Sequence, residues 1–257
     1  MSEFIAGYHG VGIVDKIPYI RLDNLLLKKI RAQVLDIKIG TRSFHESTEN
    51  NERKTSYVHY VLDLDPTHTF NQHDLVNGIT FDEYRQIIND FTTSARLGFR
   101  IEGLSLYNAN GTCEKLDGDY FKKTVRTNED IDAFFGTFFM GRRDGYGKVL
   151  GDLKRLKTAL SERKVSTFGY FLFSRTKILT RFESEWFFQH EMICTSLLVI
   201  LSDNGNMLKM IDFGKTKKHT NKRINHDRKW TRGTNEDGFL IGLNNLIGAW
   251  SGLNISD

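Results

Sequence analysis

Apolar and polar positions alternate from Gln33 to Ile39, with Leu35, Ile37 and Ile39 on one side and Val34, Asp36 and Lys38 on the other. A period of two predicts a half-buried strand whose open face carries a carboxylate and an ammonium two residues apart. Further on the period lengthens. Thr80-Phe81-Asp82-Glu83 has capping-box spacing, and Tyr84, Ile87, Ile88 and Phe91 follow at helical intervals, so a helix is predicted to begin there. Ile131, Phe134, Phe135, Phe138 and Phe139 form a second stripe, and Val149, Leu150, Leu153, Leu156 and Leu160 a third. Phe239, Leu243, Leu246, Ile247 and Trp250 close the chain with a fourth. Stripes of this width are core faces of helices. Between them, Thr195 to Leu201 and Met207 to Phe213 are β-rich apolar runs joined by Ser202-Asp203-Asn204-Gly205-Asn206, which predicts an antiparallel hairpin. A turn centred on Asn204-Gly205 would place Asp212 opposite Leu197 and beside Ser196. The polar stretch Glu46 to Thr55 reads as a surface loop.

Composition narrows the class without naming a function. At 257 residues, 39% apolar and 26% charged, the chain can bury a sizeable core and lies far from disordered compositions. Cys113 and Cys194 match neither a disulfide framework nor a zinc spacing, which suits a reducing compartment. No apolar run approaches the ~20 residues that span a bilayer, and Met1-Ser2-Glu3-Phe4 does not open a targeting pattern, so the cytoplasm or nucleus is expected. The net charge of +4 hides an asymmetry. Gly214 to Arg232 holds eight basic residues against Asp227 alone, a local +7 that leaves −3 for the rest. A run of this kind is either a solvated loop or the border of a polyanion site. Only Trp230 offers a stacking ring within it, so no nucleic-acid partner is expected. A Gly-x-Ser-x-Gly elbow is missing, and the eight histidines are scattered, which reads as packing or surface use.

Two places can carry chemistry. Ile211-Asp212-Phe213-Gly214-Lys215-Thr216 puts a carboxylate at the end of an apolar strand, followed by a cation. Such a carboxylate can hold Mg²⁺ against nucleotide phosphates while nearby cations neutralise developing charge. Asp36 and Lys38, on one strand face, can orient a hydroxyl and contact a transferring phosphate. Each has a plainer alternative: a common tripeptide for the first, a surface ion pair for the second.

Taken together, the ordered motifs resemble a known family. Val34-Leu35-Asp36-Ile37-Lys38-Ile39-Gly40 is similar to the Asp-x-Lys-x-Gly signature of inositol polyphosphate kinases. Thr195-Ser196-Leu197-Leu198 resembles their Ser-Ser-Leu-Leu element, and Ile211 to Thr216 their metal-binding strand. Arg96 to Gly103, Phe121-Lys122-Lys123-Thr124 and Gly238 to Leu246 resemble the inositol 1,4,5-trisphosphate 3-kinase branch, and the resemblance runs from about Phe4 to Trp250.

The resemblance implies an α+β kinase-like fold, mainly its C-terminal lobe, with an antiparallel sheet packed by helices. It implies an ATP- and Mg²⁺-dependent transfer to an inositol polyphosphate, with the 1,4,5-trisphosphate as expected substrate, carried out by a monomer. Main-chain groups at Asp23 and Leu25, in a hinge Tyr19 to Leu25, would meet adenine, and Asp36 would bind ribose or, as a catalytic residue with Lys38, help orient the attacking hydroxyl. Lys38 would bridge transferring phosphate and substrate; Asp212 would ligate the metal with Ser196 close by; Arg100, Lys123 and Lys215 would grip substrate phosphates. Residues 1–27 would be the end of an N-terminal lobe and the hinge, and 28–257 the C-terminal lobe with a substrate-binding insert at about 45–95. Only 18 residues precede Tyr19, and Lys16 is the only lysine among them. The alternative expectation is therefore a pseudokinase that binds inositol phosphates without efficient catalysis.

Overall fold

The computed structural model describes residues 2–46, 52–107, 112–161 and 185–254. The alternating segment is β3 (Gln33–Ile39), the middle strand of an antiparallel five-stranded sheet. It lies between β9 (Ser196–Leu201) and β6 (Phe99–Tyr107), with β10 (Met207–Ile211) and β7 (Cys113–Leu116) outermost. Leu35 and Ile37 are fully buried and Ile39 nearly so, while Asp36 and Lys38 stay half-buried. Period-two patterning thus sorts the strand into a core face and a chemical face.

The core face is covered by α6 (Asn128–Phe139), α7 (Arg143–Ser161) and α8 (Phe239–Ser251), whose apolar stripes are three of the four that the sequence predicts. Trp250 meets Phe135 and Phe139 edge-on, with centroids 5.2 and 4.9 Å away. Each such fully buried side chain stabilises the fold by roughly 1.5–3 kcal/mol. Gly242 of α8 sits against the turn at Gly98, where a Cβ would meet the Gly98 carbonyl oxygen at 1.8 Å. No larger residue fits there.

A helical unit leaves the sheet after β3. β4 (Arg53–Lys54) pairs with β5 (Ile79–Thr80), and α1 (Thr55–Leu64), α2 (Gln72–Asn77) and α3 (Phe81–Phe91) enclose a small core of Val61, Leu64 and Ile88. Thr80 and Glu83 form the expected capping box. α4 (Ser94–Leu97) leads back to β6, and α5 (Gly118–Thr124) follows β7. The loop expected from Glu46 to Thr55 is corrected in its second half: Arg53 and Lys54 are a strand and Thr55 opens α1, while 47–51 lie outside the described residues. A two-residue strand held by a partner 27 positions away, as Arg53 is by Thr80, leaves no local period to read.

The β9–β10 hairpin forms, but its register differs from the expectation. Met207 pairs with Ile200 and Ile211 with Ser196, so Asp212 lies past the strand end, no longer opposite Leu197. A slip of two keeps every side chain on its face. The cause is a turn pinned both from within and from outside. Ser202 N–H donates to Asn206 Oδ1 (3.0 Å), the Asn204 amide donates to Lys28 O (2.6 Å), and Arg31 and Arg142 both hold Asp203. β1 (Tyr8–Val14) and β2 (Ile17–Leu22) form a separate hairpin with apolar side chains exposed, Ile13 at 75% and Ile20 at 67%. β8 (His190–Met192) pairs with β11 (Thr216–Lys218).

Candidate active site

Antiparallel pairing places side chains of neighbouring strands in rows across the sheet. One row runs Ile211, Ser196, Lys38, Arg100. Lys38 Nζ donates to Ser196 Oγ at 3.0 Å and to Asp212 Oδ2 at 2.6 Å. The lysine side chain is 14% exposed and the aspartate 49%, so a shielded ammonium meets a carboxylate at the surface. Asp212 has φ +65°, the left-handed region, which turns the chain off β10 into a 3-10 turn (Phe213–Lys215). Aspartate tolerates that conformation better than most residues do.

Asp36 occupies the next row on the same face, between Leu198 and Gly103. Its Oδ1 is buried and has no hydrogen-bond partner in the protein. Burial pushes its carboxyl above the usual range, against the hydrogen bond from Ser196 and the Lys38 charge, while Asp212 and Glu102 add to the rise. Asp36 and Lys38 are thus not paired with each other as in the plain ion-pair alternative: Lys38 turns to Asp212. Gly40, which ends the strand, has φ +115°, and a Cβ there would press on Asp237 O at 3.0 Å. The glycine of the motif is a backbone requirement.

The remaining expected residues are placed as follows. Lys215 ends the 3-10 turn with Nζ 4.0 Å from Cys194 Sγ. Arg100 is 4% exposed and spent on neighbours, with Nε to Glu102 Oε2 at 2.9 Å and Nη1 to Ser94 Oγ at 3.0 Å. Lys123 lies outside the row and contacts Asp63 at 3.0 Å on the exposed side of α1. Asp23 donates its N–H to Gly7 O (3.0 Å), and its carboxylate takes the Gly7 N–H (2.8 Å) and His9 Nε2 (2.6 Å). Leu25 is half-buried just beyond it.

Sequence reasoning missed Arg85. From α3 its Nε donates to Ser43 Oγ at 3.1 Å and its Nη2 lies 3.9 Å from Cys194 Sγ. Arg85 and Lys215 thus converge on one sulfur from the helical unit and from the sheet, and neither has a carboxylate partner within 4 Å among the described residues. A thiol is too weak an acceptor to satisfy two cations. The signal in the sequence is faint: Arg85 and Asn89, at i, i+4, edge the apolar stripe of α3, and Asn89 is buried against Ser43.

Behind the site stand two buried braces. Glu191 takes Arg42 Nη2 on one oxygen and His45 (3.3 Å) and His219 (3.1 Å) on the other. Burial alone would push its carboxyl up. The His45 hydrogen bond, the Arg42 guanidinium and His219 outweigh burial and hold it at about 2. Asp237 joins Met192 N–H (2.7 Å), Phe239 N–H (2.9 Å) and His226 Nδ1 (2.9 Å), which ties β8 to the start of α8.

This arrangement coincides with a family match over residues 19–251, described as inositol polyphosphate kinase. The chain belongs to the inositol polyphosphate kinase family. It is 30% identical over 256 residues to human inositol-trisphosphate 3-kinase A, covering 97% of this chain and 50% of that protein. It is 32% identical over 234 residues to the Caenorhabditis elegans inositol-trisphosphate 3-kinase homolog, covering 89% and 42%. The chain therefore spans about half the length of these curated relatives. In fold it is similar to an inositol phosphate multikinase from S. cerevisiae solved with ADP and Mn²⁺, at 16% identity and a TM-score of 0.56, covering 97% of this chain and 89% of that one. A second multikinase structure has a TM-score of 0.55.

The donors present fit the groups that such a kinase fold implies. An unpaired buried carboxylate oxygen on Asp36 suits a hydroxyl donor. The Asp212 carboxylate, half open to solvent with Ser196 beside it in the Lys38 cluster, suits a hard cation that takes most of its ligands from phosphate and water. Among the described residues no cluster of three or more His, Cys, Asp or Glu side chains could hold a metal alone. None of the described helices is long and apolar enough to cross a membrane.

Proposed function

We propose that this member of the inositol polyphosphate kinase family uses ATP to phosphorylate a hydroxyl of inositol 1,4,5-trisphosphate. The observation that carries the reading is Lys38, fixed by Ser196 and Asp212 beside a half-buried Asp36 and facing the same end of the sheet as Lys215. An ammonium held by two oxygens before substrate arrives needs no reorganisation to meet a transferring phosphate. Asp36 binds ribose hydroxyls through its unpaired oxygen, and the main chain from Asp23 to Leu25 meets adenine, with the Asp23 N–H already spent. Bound Mg²⁺ would be held by Asp212 with Ser196 close by and would neutralise charge on the nucleotide phosphates. Arg85 and Lys215 take substrate phosphates between the helical unit, read as the substrate-binding insert at about 45–95, and the sheet. Arg100 keeps the Lys38 row in place, and Lys123 reaches substrate only by leaving Asp63.

The working form in this reading is a monomer in the cytoplasm or nucleus, and the free cysteines Cys113 and Cys194 suit the reducing compartment. Incubation of the purified chain with ATP, Mg²⁺ and inositol 1,4,5-trisphosphate should yield an inositol tetrakisphosphate and ADP in equal amounts. A second reading, binding without efficient transfer, is favoured by the exposed apolar side chains of the hairpin β1–β2 beside Asp23. Trisphosphate binding by calorimetry with no ADP formed would select it; neither binding nor turnover would remove both.

A further inference from the structure

A cavity of about 730 Å³ lies between α3, α4, the segment joining α5 to α6, and the basic stretch, and Asp36, Lys38, Arg85, Ser196, Asp212 and Lys215 take no part in lining it. Arg96, Arg126 and Lys229 line it from three separate parts of the chain, together with Asp90 and Asp130. Two of the three cations are held in place by neutral groups. Arg96 donates from Nη1 to Asn128 Oδ1 and from Nη2 to Arg126 O, the latter at 3.1 Å. The Arg126 guanidinium carbon lies 3.7 Å from the centroid of the Phe91 ring.

None of the three has a carboxylate within 4 Å among the described residues. Asp130 is already committed, since its Oδ2 accepts the N–H groups of Arg126 (2.9 Å) and Thr127 (2.8 Å) as the cap of α6. Those two bonds hold its carboxyl below the usual range. Asp90 accepts from Gln86 at 3.0 Å. The Arg126 charge acts at longer range on Asp130 and Asp65, but neither arginine forms an ion pair among the described residues and both are already held by neighbours, which lowers the cost of capturing an anion.

We propose that this cavity is a second anion site, for a small soluble molecule carrying phosphate groups, separate from the transfer site. Its volume suits one such molecule. A flat arginine stacked on a ring presents a fork to phosphate oxygens, and Lys229 adds a point charge. The site also gives the basic stretch a local use at Lys229, where the sequence alone left a choice between loop and polyanion border.

The probe is inorganic pyrophosphate, titrated by calorimetry at low salt without nucleotide or metal. Wild type should bind it. Arg126→Gln with Lys229→Gln should weaken binding at least about tenfold, whereas Arg85→Gln with Lys215→Gln, at the transfer site, should leave a binding event intact. Lys229→Gln alone changes one exposed side chain and should weaken binding in the same direction, so a folding defect of the double variant does not blunt the test. Arg126→Lys, which keeps the charge and loses the fork, should bind between the two. Binding abolished by the Arg85 and Lys215 changes and untouched by those at Arg126 and Lys229 would overturn the proposal. So would binding indifferent to both pairs, or none in wild type. Failure here leaves the kinase reading standing, because that is read by trisphosphate turnover.

Discussion

Lys38 and Asp212 lie 174 positions apart in the chain and 2.6 Å apart in space. One is on the central strand and the other just past the end of a hairpin two strands away, so the contact exists only when β10, β9 and β3 pair in register. Ser196, on the strand between, touches the same ammonium.

Lys38→Ala should remove phosphoryl transfer while leaving the fold. Loss of a cation that stabilises charge in a transition state costs on the order of a hundred- to a thousandfold in turnover. Asp212 is half exposed, so its loss of a partner should cost stability about 1 kcal/mol or less. Turnover and melting temperature, measured on one preparation, separate the two. Near wild-type turnover would end the assignment.

Asp212→Asn should weaken Mg²⁺-dependent nucleotide binding and melt close to wild type. Asparagine accepts φ +65° as aspartate does, so the change isolates the charge. Asp212→Ala should bind as poorly but melt lower, by about 1 kcal/mol, because alanine in the left-handed region is strained. Equal nucleotide affinity in Asp212→Asn and wild type would make Asp212 structural.

Asp36 should be a site residue held at a cost to stability. Its folded carboxyl titrates above its unfolded value. As pH rises from the unfolded value through the folded one, the native state must ionise a buried group and loses stability relative to a neutral side chain. Asp36→Asn should therefore melt at or above wild type at pH 7, with the advantage shrinking toward pH 4, and should lose nucleotide binding. A variant less stable at pH 7 than at pH 4, relative to wild type, would contradict this.

Glu191 has the opposite sign. Its folded carboxyl is held at about 2, below an unfolded value near 4.3, so its contribution is complete above the unfolded value and is lost as pH falls between about 5 and 2. On the order of 3 kcal/mol is involved. Thermal melts across that range should show a shallower acid limb for Glu191→Gln than for wild type. The variant should also be less stable at pH 7 by roughly 3–5 kcal/mol, since Arg42 is left buried and unpaired. Parallel acid limbs would show that the brace contributes nothing to acid stability.

Much of this protein is legible in the order of its residues. The period of two across Gln33 to Ile39 sorted Asp36 and Lys38 from the core residues beside them, because a strand's faces depend only on its own sequence. The stripes of α6, α7 and α8 and the Thr80–Glu83 box were equally local, needing no distant partner to be recognised. Which charged groups meet was not local. Asp36 and Lys38 share a face as expected, yet Lys38 pairs with Asp212, because the β9–β10 register brings the hairpin end beside it. That register came from contacts of Asn204, Asp203, Arg31 and Arg142 outside the turn, so Asn204-Gly205 by itself misplaced it by two residues. Arg85 carries no motif, and only the packing of α3 against the ends of β3 and β9 sets it across from Lys215. Arg42, Glu191, His226 and Asp237 look like ordinary surface residues in a sequence. Burial makes them interior ones, since a charge excluded from water must find its partner in the fold, wherever in the chain that partner lies.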